Sequence, residues 1–546
     1  MKLHLTIDSG TIAGQSFDLE TGFLSIGRSE TCSVRFDPIS ERIASKQHAF
    51  IEAKADGFYL TDNKSTNGTL VNGVRIDSTR LNSGDQIQFG VNGATATVRI
   101  DETAAVPSAP GQQGFREFEA QQFDQAAAQQ PVSVSMSLQS FGLGNVAVKP
   151  EPPKTGRYIG IAVTIFAIVF LSLIVVLLMF ASVGIFTAII AAVVAFVPSM
   201  LYILPLMWLD RYDPEPAWLL ALAFAWGALV AVIVSFVVNT VFSVAVYVGT
   251  RSEGLSSVAG AVISASLIEE GSKGVGLLIL LIFFRRYFDD ILDGIVFGGV
   301  IALGFATVEN VLYYGNGLNT AVDTYGITVK ALMSFLVLFA LRGIFSPFAH
   351  ATFTSMTGIG CGIARESHNG FVRFIMPVLG YGLAVTLHAT WNGMGIVAMI
   401  FLRGFGIEGV CQAVGLGGEN IGLCSFFSAY FVLEVPLFFI FVIFALLIMR
   451  RQRKILTEML AIDIARGLIP EEDAKTATSA FKSSKWILGG LFKGKFRARN
   501  RYVRAIGKLG LSYWHIQRAT AAQGQTGSFQ QNPILRDEVL KWRDQV

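Results

Sequence analysis

Between residues 156 and 450 the chain is overwhelmingly apolar, and turns or charges divide that run into eight stretches long enough to cross a bilayer. A hydrocarbon core about 30 Å thick needs roughly 20 residues of helix. Helix is required because every backbone N–H and C=O in lipid must find its partner inside the protein. The stretches fall near 157–182, 184–208, 216–249, 257–284, 291–315, 328–364, 372–403 and 425–449. The third, sixth and seventh exceed a straight crossing, so each is expected to tilt, break or extend into water. Gly343 and Pro347 mark the expected break in the sixth. Charged residues make up only 15% of the 546, against about 25% in an ordinary soluble chain.

Orientation follows from where Lys and Arg collect. Lys149, Lys154, Arg157, Arg285, Arg286, Arg365, Arg373 and the run Arg450, Arg451, Arg453, Lys454 all fall on one side. The opposite loops 316–327 and 404–424 contain neither residue type, and Arg251 and Arg403 are the exceptions to the pattern. Both termini are therefore expected in the cytoplasm, in a multi-pass protein of the plasma membrane. Met1–Ile7 leads into Asp8, Ser9 and Gly10 rather than into an apolar signal core, so the first span is expected to direct insertion. Cys411 and Cys424 share an outer loop, where oxidation is permitted; they are either a disulfide or two separate thiols. Cys32 and Cys361 are expected to be inert packing residues.

Residues 1–100 have normal polarity and alternate apolar and polar residues in short runs separated by turn pairs such as Asn67–Gly68, Asn72–Gly73 and Ser83–Gly84. That pattern predicts an all-β sandwich. Within it stand Gly27–Arg28, Ser45–Lys46–Gln47–His48–Ala49, Asp62, Ser65–Thr66–Asn67–Gly68–Thr69, Val71–Asn72–Gly73, Gly84–Asp85 and Phe89–Gly90. This ordered set resembles the forkhead-associated (FHA) domain, whose members bind phosphothreonine. The resemblance assigns phosphopeptide contact to Arg28, Ser45, Lys46, Thr66 and Asn67. The chemistry agrees, because a phosphothreonine carries about −1.5 to −2 charge and three acceptor oxygens, which suit an Arg fork, a Lys and hydroxyl donors. His48 and Gly27 are expected to hold loops, and Asn72–Gly73 to form a hairpin turn.

Residues 101–155 have few large apolar groups to bury and are expected to be a disordered linker. Residues 451–546 are expected to form short helices in a cytoplasmic tail, with Pro470 near the start of one. The stretch Lys482–Arg504 mixes basic residues with Trp486, Leu491, Phe492, Phe496 and Tyr502, so it suits either a solvated helical hairpin or an anionic leaflet. No Lys/Arg-rich tract in the soluble N-terminal part suggests nucleic acid as a partner.

The sharpest signal is charge inside the spans, where each charge costs about 2.5–3.5 kcal/mol on insertion scales. The fourth span carries Glu269, Glu270 and Lys273, with both carboxylates in helical reach of the ammonium. The fifth carries Glu309 and Asn310, the sixth His350, and the seventh His388 with Trp391 and Asn392 one turn on. Together, Glu269–Glu270–x–x–Lys273, Phe305–x–x–x–Glu309–Asn310, His350 and His388–x–x–Trp391–Asn392, with Asp210–Arg211–Tyr212–Asp213–Pro214–Glu215–Pro216 before them, resemble the motifs of the PrsW family. That resemblance spans 160–450 and implies an intramembrane peptidase of membrane-anchored proteins, with Glu269, Glu270, Lys273, Glu309, His350, His388 and Asn392 as catalytic candidates.

Two mechanisms remain open on sequence. In one, Glu270, Glu309, His350 and His388 supply the ligands of a zinc ion. In the other, a glutamate activates water with a histidine and Asn392 assisting. A rival from another class is a non-catalytic membrane sensor or adaptor that recruits phosphorylated partners through the FHA module. A transporter predicts an internal repeat of spans, which the sequence lacks.

Overall fold

The computed structural model describes residues 1–29, 32–54, 56–101, 154–404, 406–413, 421–521 and 528–546. The expected linker falls almost wholly on 102–153, outside the described residues. Two compact units emerge: Met1–Arg157 with Ile455–Val546, and Tyr158–Lys454.

The first unit contains the expected sandwich. Strands β1 (Lys2–Ile7), β2 (Ser16–Leu19), β7 (Thr69–Val71), β8 (Val74–Ile76), β10 (Gln86–Phe89) and β11 (Thr95–Asp101) form one sheet in the order β2-β1-β11-β10-β7-β8. Strands β3 (Phe23–Gly27), β4 (Val34–Arg35), β5 (Ala49–Lys54), β6 (Gly57–Asp62) and β9 (Ser78–Leu81) form the other, ordered β4-β3-β5-β6-β9. Alternation fixes what is buried: Leu3, Leu5 and Ile7 of β1 meet Ile26, Ile51, Phe58 and Leu60 across the core. Asn72 and Gly73 both take positive φ (52° and 81°), the two-residue turn that joins β7 to β8.

The tail is helical, and it packs on the sandwich. Leu460, Ile469, Tyr502, Ile506, Leu509 and Val539 form its core. Pro470 immediately precedes the helix Glu471–Ala477. The Tyr513 ring lies 6.2 Å from Phe23 of β3, Arg536 donates to the Thr21 carbonyl, and Arg466 donates to the carbonyls of Glu20 and Lys54 while covering the Phe58 ring. The stretch Lys482–Arg504 divides: Trp486 is packed beneath Arg499 and beside Tyr502, whereas Leu491, Phe492 and Phe496 are exposed.

The second unit is a helical bundle. Among the described residues, seven helices are long and apolar enough to cross a membrane: Ala162–Val183, Ile185–Leu209, Ala217–Thr250, Ile291–Tyr325, Val329–Glu366, Gly370–Asn392 and Cys424–Ala465. The fourth expected span is helical from Glu253 to Phe283 but is set apart from these seven by Glu269, Glu270 and Lys273. The helix Ile291–Tyr325 is the hub, with all of its most apolar window buried. It meets the helix Ala349–Glu366 backbone to backbone: a Cβ at Gly294 or Gly358 would overlap the other's carbonyl, so small residues set the approach.

The sixth span breaks where expected. A π-helical turn, Ala340–Phe345, ends at Ser346 and Pro347, and Ala349–Glu366 begins afterwards. The hydroxyls of Tyr202 and Tyr430 donate to the carbonyls of Gly343 and Phe345, so backbone freed at membrane depth is satisfied. The seventh also breaks, at Gly393 between Gly370–Asn392 and Met394–Gly404. Cys411 and Cys424 form a disulfide.

Candidate functional site

Four helices bring their polar residues to one depth. Counted from the helix ends on the Lys/Arg-rich side (Phe283, Ile291, Glu366 and Gly370), Glu270, Glu309, His350 and His388 lie roughly 20–27 Å along their helices. Sequence separations of 41 to 118 residues are closed into hydrogen bonds.

Glu270 is fully buried and fully engaged. Its Oε1 accepts from Lys273 Nζ at 2.9 Å and from His388 Nδ1 at 3.0 Å, and its Oε2 accepts from Thr354 Oγ1 at 2.7 Å. Glu309 accepts from Arg342 at 2.6 Å and from His350 Nε2 at 3.1 Å. Arg342 also donates to Asn310 Oδ1 at 2.7 Å and lies 3.6 Å from the Tyr313 ring centre. Lys273 sits between the two halves, 3.3 Å from His350 Nδ1 and 4.0 Å from the Phe305 ring centre.

Each imidazole therefore has one nitrogen bound to a carboxylate, and because a carboxylate only accepts, that nitrogen carries the proton. His350 Nδ1 is left to accept from Lys273. His388 Nε2 is left bare, facing Glu269 Oε2 at 3.7 Å. Glu269 Oε2 is buried and has no hydrogen-bond partner among the described residues; its ion-pair contact with Lys273 is also 3.7 Å long. Two acceptors facing each other in a buried site call for a proton or a cation between them. Charge counting agrees, since three carboxylates (Glu269, Glu270, Glu309) face two fixed cations (Lys273, Arg342).

Glu269, His350 and His388 each present a ligand atom within 4.8 Å of the others'. Two ligands about 2.1 Å from a tetrahedral ion stand roughly 3.4 Å apart, close to the Glu269–His388 spacing. The sequence pattern put Glu270 and Glu309 in the ligand set with His350 and His388; in the fold both of these carboxylates accept from several donors and Glu269 takes their place in the cluster, while His350 Nδ1 is the ligand atom that Lys273 approaches. Asn392 is not in this cluster; its amide donates to the Ala261 carbonyl at 2.8 Å, and it borders a neighbouring cavity with Arg342 and Trp391. Arg342 and Thr354 were missed, although an Arg within a span is itself a costly charge and Thr354 lies one turn after His350, on the same face.

In the sandwich, the five expected contact residues gather on adjoining loops. Thr66 N donates to Ser45 Oγ at 2.9 Å, and Asn67 Nδ2 donates to the Ile43 carbonyl at 2.8 Å. Arg28 Nε donates to the Ala44 carbonyl at 2.5 Å, and the Arg28 and Ser29 amides bond the carbonyls of Ser45 and Lys46. Lys46 lies between Ser45 and Gln47 on that loop. Asp62 pins the other loop by accepting from Ser65 and Thr69, both at 2.6 Å. His48 is a loop holder: Nδ1 accepts from the Ser45 amide at 3.0 Å and Nε2 donates to the Gly68 carbonyl at 3.1 Å. Burial holds its pKa below the usual imidazole value. Burial likewise pushes the Cys32 thiol up to about 11, as an inert packing residue requires.

Residues 215–416 match the family described as PrsW family intramembrane metalloprotease, and residues 24–90 match the FHA domain. Protease PrsW of Clostridioides difficile is 33% identical over 185 residues, which cover 32% of this chain and 68% of that protein. Protease PrsW of Bacillus subtilis is 26% identical over 209 residues, covering 36% and 84%. The glycogen accumulation regulator GarA of Mycobacterium tuberculosis is 33% identical over 86 residues, covering 16% of this chain and 51% of GarA.

Proposed function

Since the chain belongs to the PrsW family of intramembrane metalloproteases, we propose that Glu269, His350 and His388 are its hydrolytic centre and together hold one zinc ion. The carrying observation is the bare His388 Nε2 facing the unpartnered Glu269 Oε2 across 3.7 Å. The protein is a multi-pass intramembrane peptidase with an FHA phosphothreonine-binding domain. Bound zinc supplies Lewis acidity at a scissile carbonyl and acidifies water.

The chain's own residues do the rest. Glu270 and Glu309 orient the two imidazoles and fix their tautomers, as outer carboxylates do for histidine ligands. Thr354 holds Glu270, and Arg342 holds Glu309. The Lys273 ammonium would be displaced from His350 Nδ1 when that nitrogen ligates zinc, and once freed it would be the donor best placed to stabilise an oxyanion developing beside His350. The same ammonium, inside the cluster, favours a second reading in which no metal is held and Glu269 Oε2 takes the proton of the attacking water. An adaptor that uses polar residues only to lock helices gives no reason to leave Glu269 unsatisfied.

The substrates would be membrane-anchored proteins. Arg28, Ser45, Lys46, Thr66 and Asn67 would recruit a threonine-phosphorylated partner, or the substrate's own tail, on the cytoplasmic side, where both termini would lie. The test is cleavage of a single-span substrate by the reconstituted full chain. Glu269→Gln and His388→Ala should both lose cleavage, and a chelator should abolish wild-type activity until zinc is returned. Chelator-resistant cleavage that still needs Glu269 would transfer the mechanism to the glutamate reading. Activity in both variants would refute the site.

A further inference from the structure

Beside the catalytic cluster lies a cavity of about 420 Å³ that the proposed chemistry does not use. Its walls include Phe345, Phe348, Trp391, Tyr430 and Phe438, and they are interrupted by one carboxylate, that of Glu434. Glu434 ends a π-helical turn, Tyr430–Glu434, in the last span, and it is only 8% exposed. Among the described residues, none hydrogen-bonds or ion-pairs with it. A second buried polar atom on the same wall, Thr352 Oγ1, is also without a partner. An unpaired carboxylate at membrane depth is expensive and marks function by default. It also lies beyond residues 215–416, the segment that matches the family.

The cavity and the cluster share a wall. Phe353 lines the cavity and stacks on the His388 ring at 5.5 Å, and Ala349, next to His350, lines it as well. Counted from Met449, where the basic run Arg450–Lys454 begins, Glu434 stands about 22 Å along its helix, within the range of the cluster. A bound group here is therefore one residue layer from the reacting atoms. Aromatic faces present negative potential, and several of them around one carboxylate suit a cation. We propose that this cavity is a substrate subsite, in which Glu434 binds the ammonium or guanidinium of a Lys or Arg beside the scissile bond. The inference rests on the proteolytic reading and adds a specificity determinant to it. Thr352 Oγ1 would accept a second N–H from the same group.

Binding, rather than cleavage, separates this claim from the mechanism. The full chain carrying Glu269→Gln is placed in phosphatidylglycerol nanodiscs with fluorescent single-span Leu/Ala peptides. Each peptide bears one Lys, stepped through successive positions, or its uncharged isostere norleucine. We expect one register at which the Lys peptide binds at least about tenfold more tightly than its isostere. Adding Glu434→Gln should remove that ratio, Glu434→Asp should keep part of it, and Glu434→Lys should transfer the preference to a Glu-bearing peptide. Intact phosphopeptide binding and unchanged gel-filtration profiles confirm that the variants fold. A Lys-to-norleucine ratio that is the same at every register with and without Glu434→Gln would overturn the assignment. So would collapse of the ratio in phosphatidylcholine with a choline lipid retained only when Glu434 is present, because the cation would then be a lipid's.

Discussion

His388 and Glu269 confront each other through two acceptors, His388 Nε2 and Glu269 Oε2, 3.7 Å apart, while Glu270 holds the other imidazole nitrogen at 3.0 Å. The opposition is stable only if something positive enters. The full-length protein should therefore purify with close to one equivalent of zinc, measured by elemental analysis. Glu269→Gln and His388→Ala should each weaken that retention at least tenfold. Glu270→Gln, which alters an outer carboxylate, should weaken it about 10- to 100-fold without changing the ligand set. Full zinc retention in Glu269→Gln would exclude Glu269 as a ligand.

Arg342 and Glu309 form the pair that anchors the opposite imidazole, at 2.6 Å. Removing one partner of a poorly solvated ion pair strands the other, at about 3–5 kcal/mol. Both side chains keep about a fifth of their exposure, which places Arg342→Gln near the lower end. The double variant Arg342→Gln/Glu309→Gln should recover part of the loss, and the cycle of thermal melts isolates the coupling. Additive losses would show that the pair contributes no coupling.

Helix identity and depth were legible because both are local. Apolar length marks spans, Gly343 and Pro347 mark a break, and Glu269, Glu270, Lys273, Glu309, His350 and His388 announce themselves as polar residues where lipid forbids them. Which carboxylate is left unsatisfied is a tertiary fact. Glu269 and Glu270 are adjacent in sequence, and only the helices bearing Thr354 and His388 decide that Glu270 is the occupied one. Arg342 and Glu434 were missed for another reason. Each lies in a π-helical turn, where the extra residue changes which face a side chain joins. The sandwich was readable to its loops, because turn chemistry and period-two alternation act over a few residues. The packing of the tail on β3 and β6 was not, since Arg466 and Tyr513 look like ordinary helix-surface residues until Phe23 and Phe58 are placed beside them.

Recognition and stability separate within the FHA module. Arg28→Ala should weaken a phosphothreonine peptide by at least about 30-fold, the lower bound for truncating one side of a charged contact. An unphosphorylated peptide should bind neither protein measurably by calorimetry. Equal affinity of wild type and Arg28→Ala would remove Arg28 from the site. His48 acts on stability instead. Its folded pKa lies below the ordinary 6.5, so between those two values the unfolded chain binds the extra proton. Stability therefore rises with pH through that window and is lost as pH falls below about 6.5. The melting temperature of the module should drop from pH 7 to pH 5, and His48→Asn should flatten that slope while lowering the starting value.

The contact between tail and sandwich makes a further prediction, because it buries groups that the sandwich alone would expose. Tyr513 is 4% exposed between Phe23 and the tail core, and the Arg466 guanidinium meets the carbonyls of Met1, Glu20, Lys54 and Gly57 and the Phe58 ring. Truncating a buried aromatic residue costs about 3–5 kcal/mol when the site cannot collapse, and each lost hydrogen bond adds about 1 kcal/mol. Tyr513→Ala should therefore raise hydrogen exchange at residues 20–24 and in β5 of the full-length protein. Arg466→Ala should do the same at Glu20, Lys54 and Gly57 to a smaller degree. The phosphopeptide loops around Arg28 and Thr66 are held by Asp62 and His48 rather than by the tail, so their peptide affinity should stay within about twofold. Unchanged exchange in both variants would mean that the tail and the sandwich fold as independent bodies. A large loss of peptide affinity in Tyr513→Ala, with the fold intact, would instead reveal that tail docking and phosphothreonine binding are coupled through β3, which leads directly from Phe23 to Arg28.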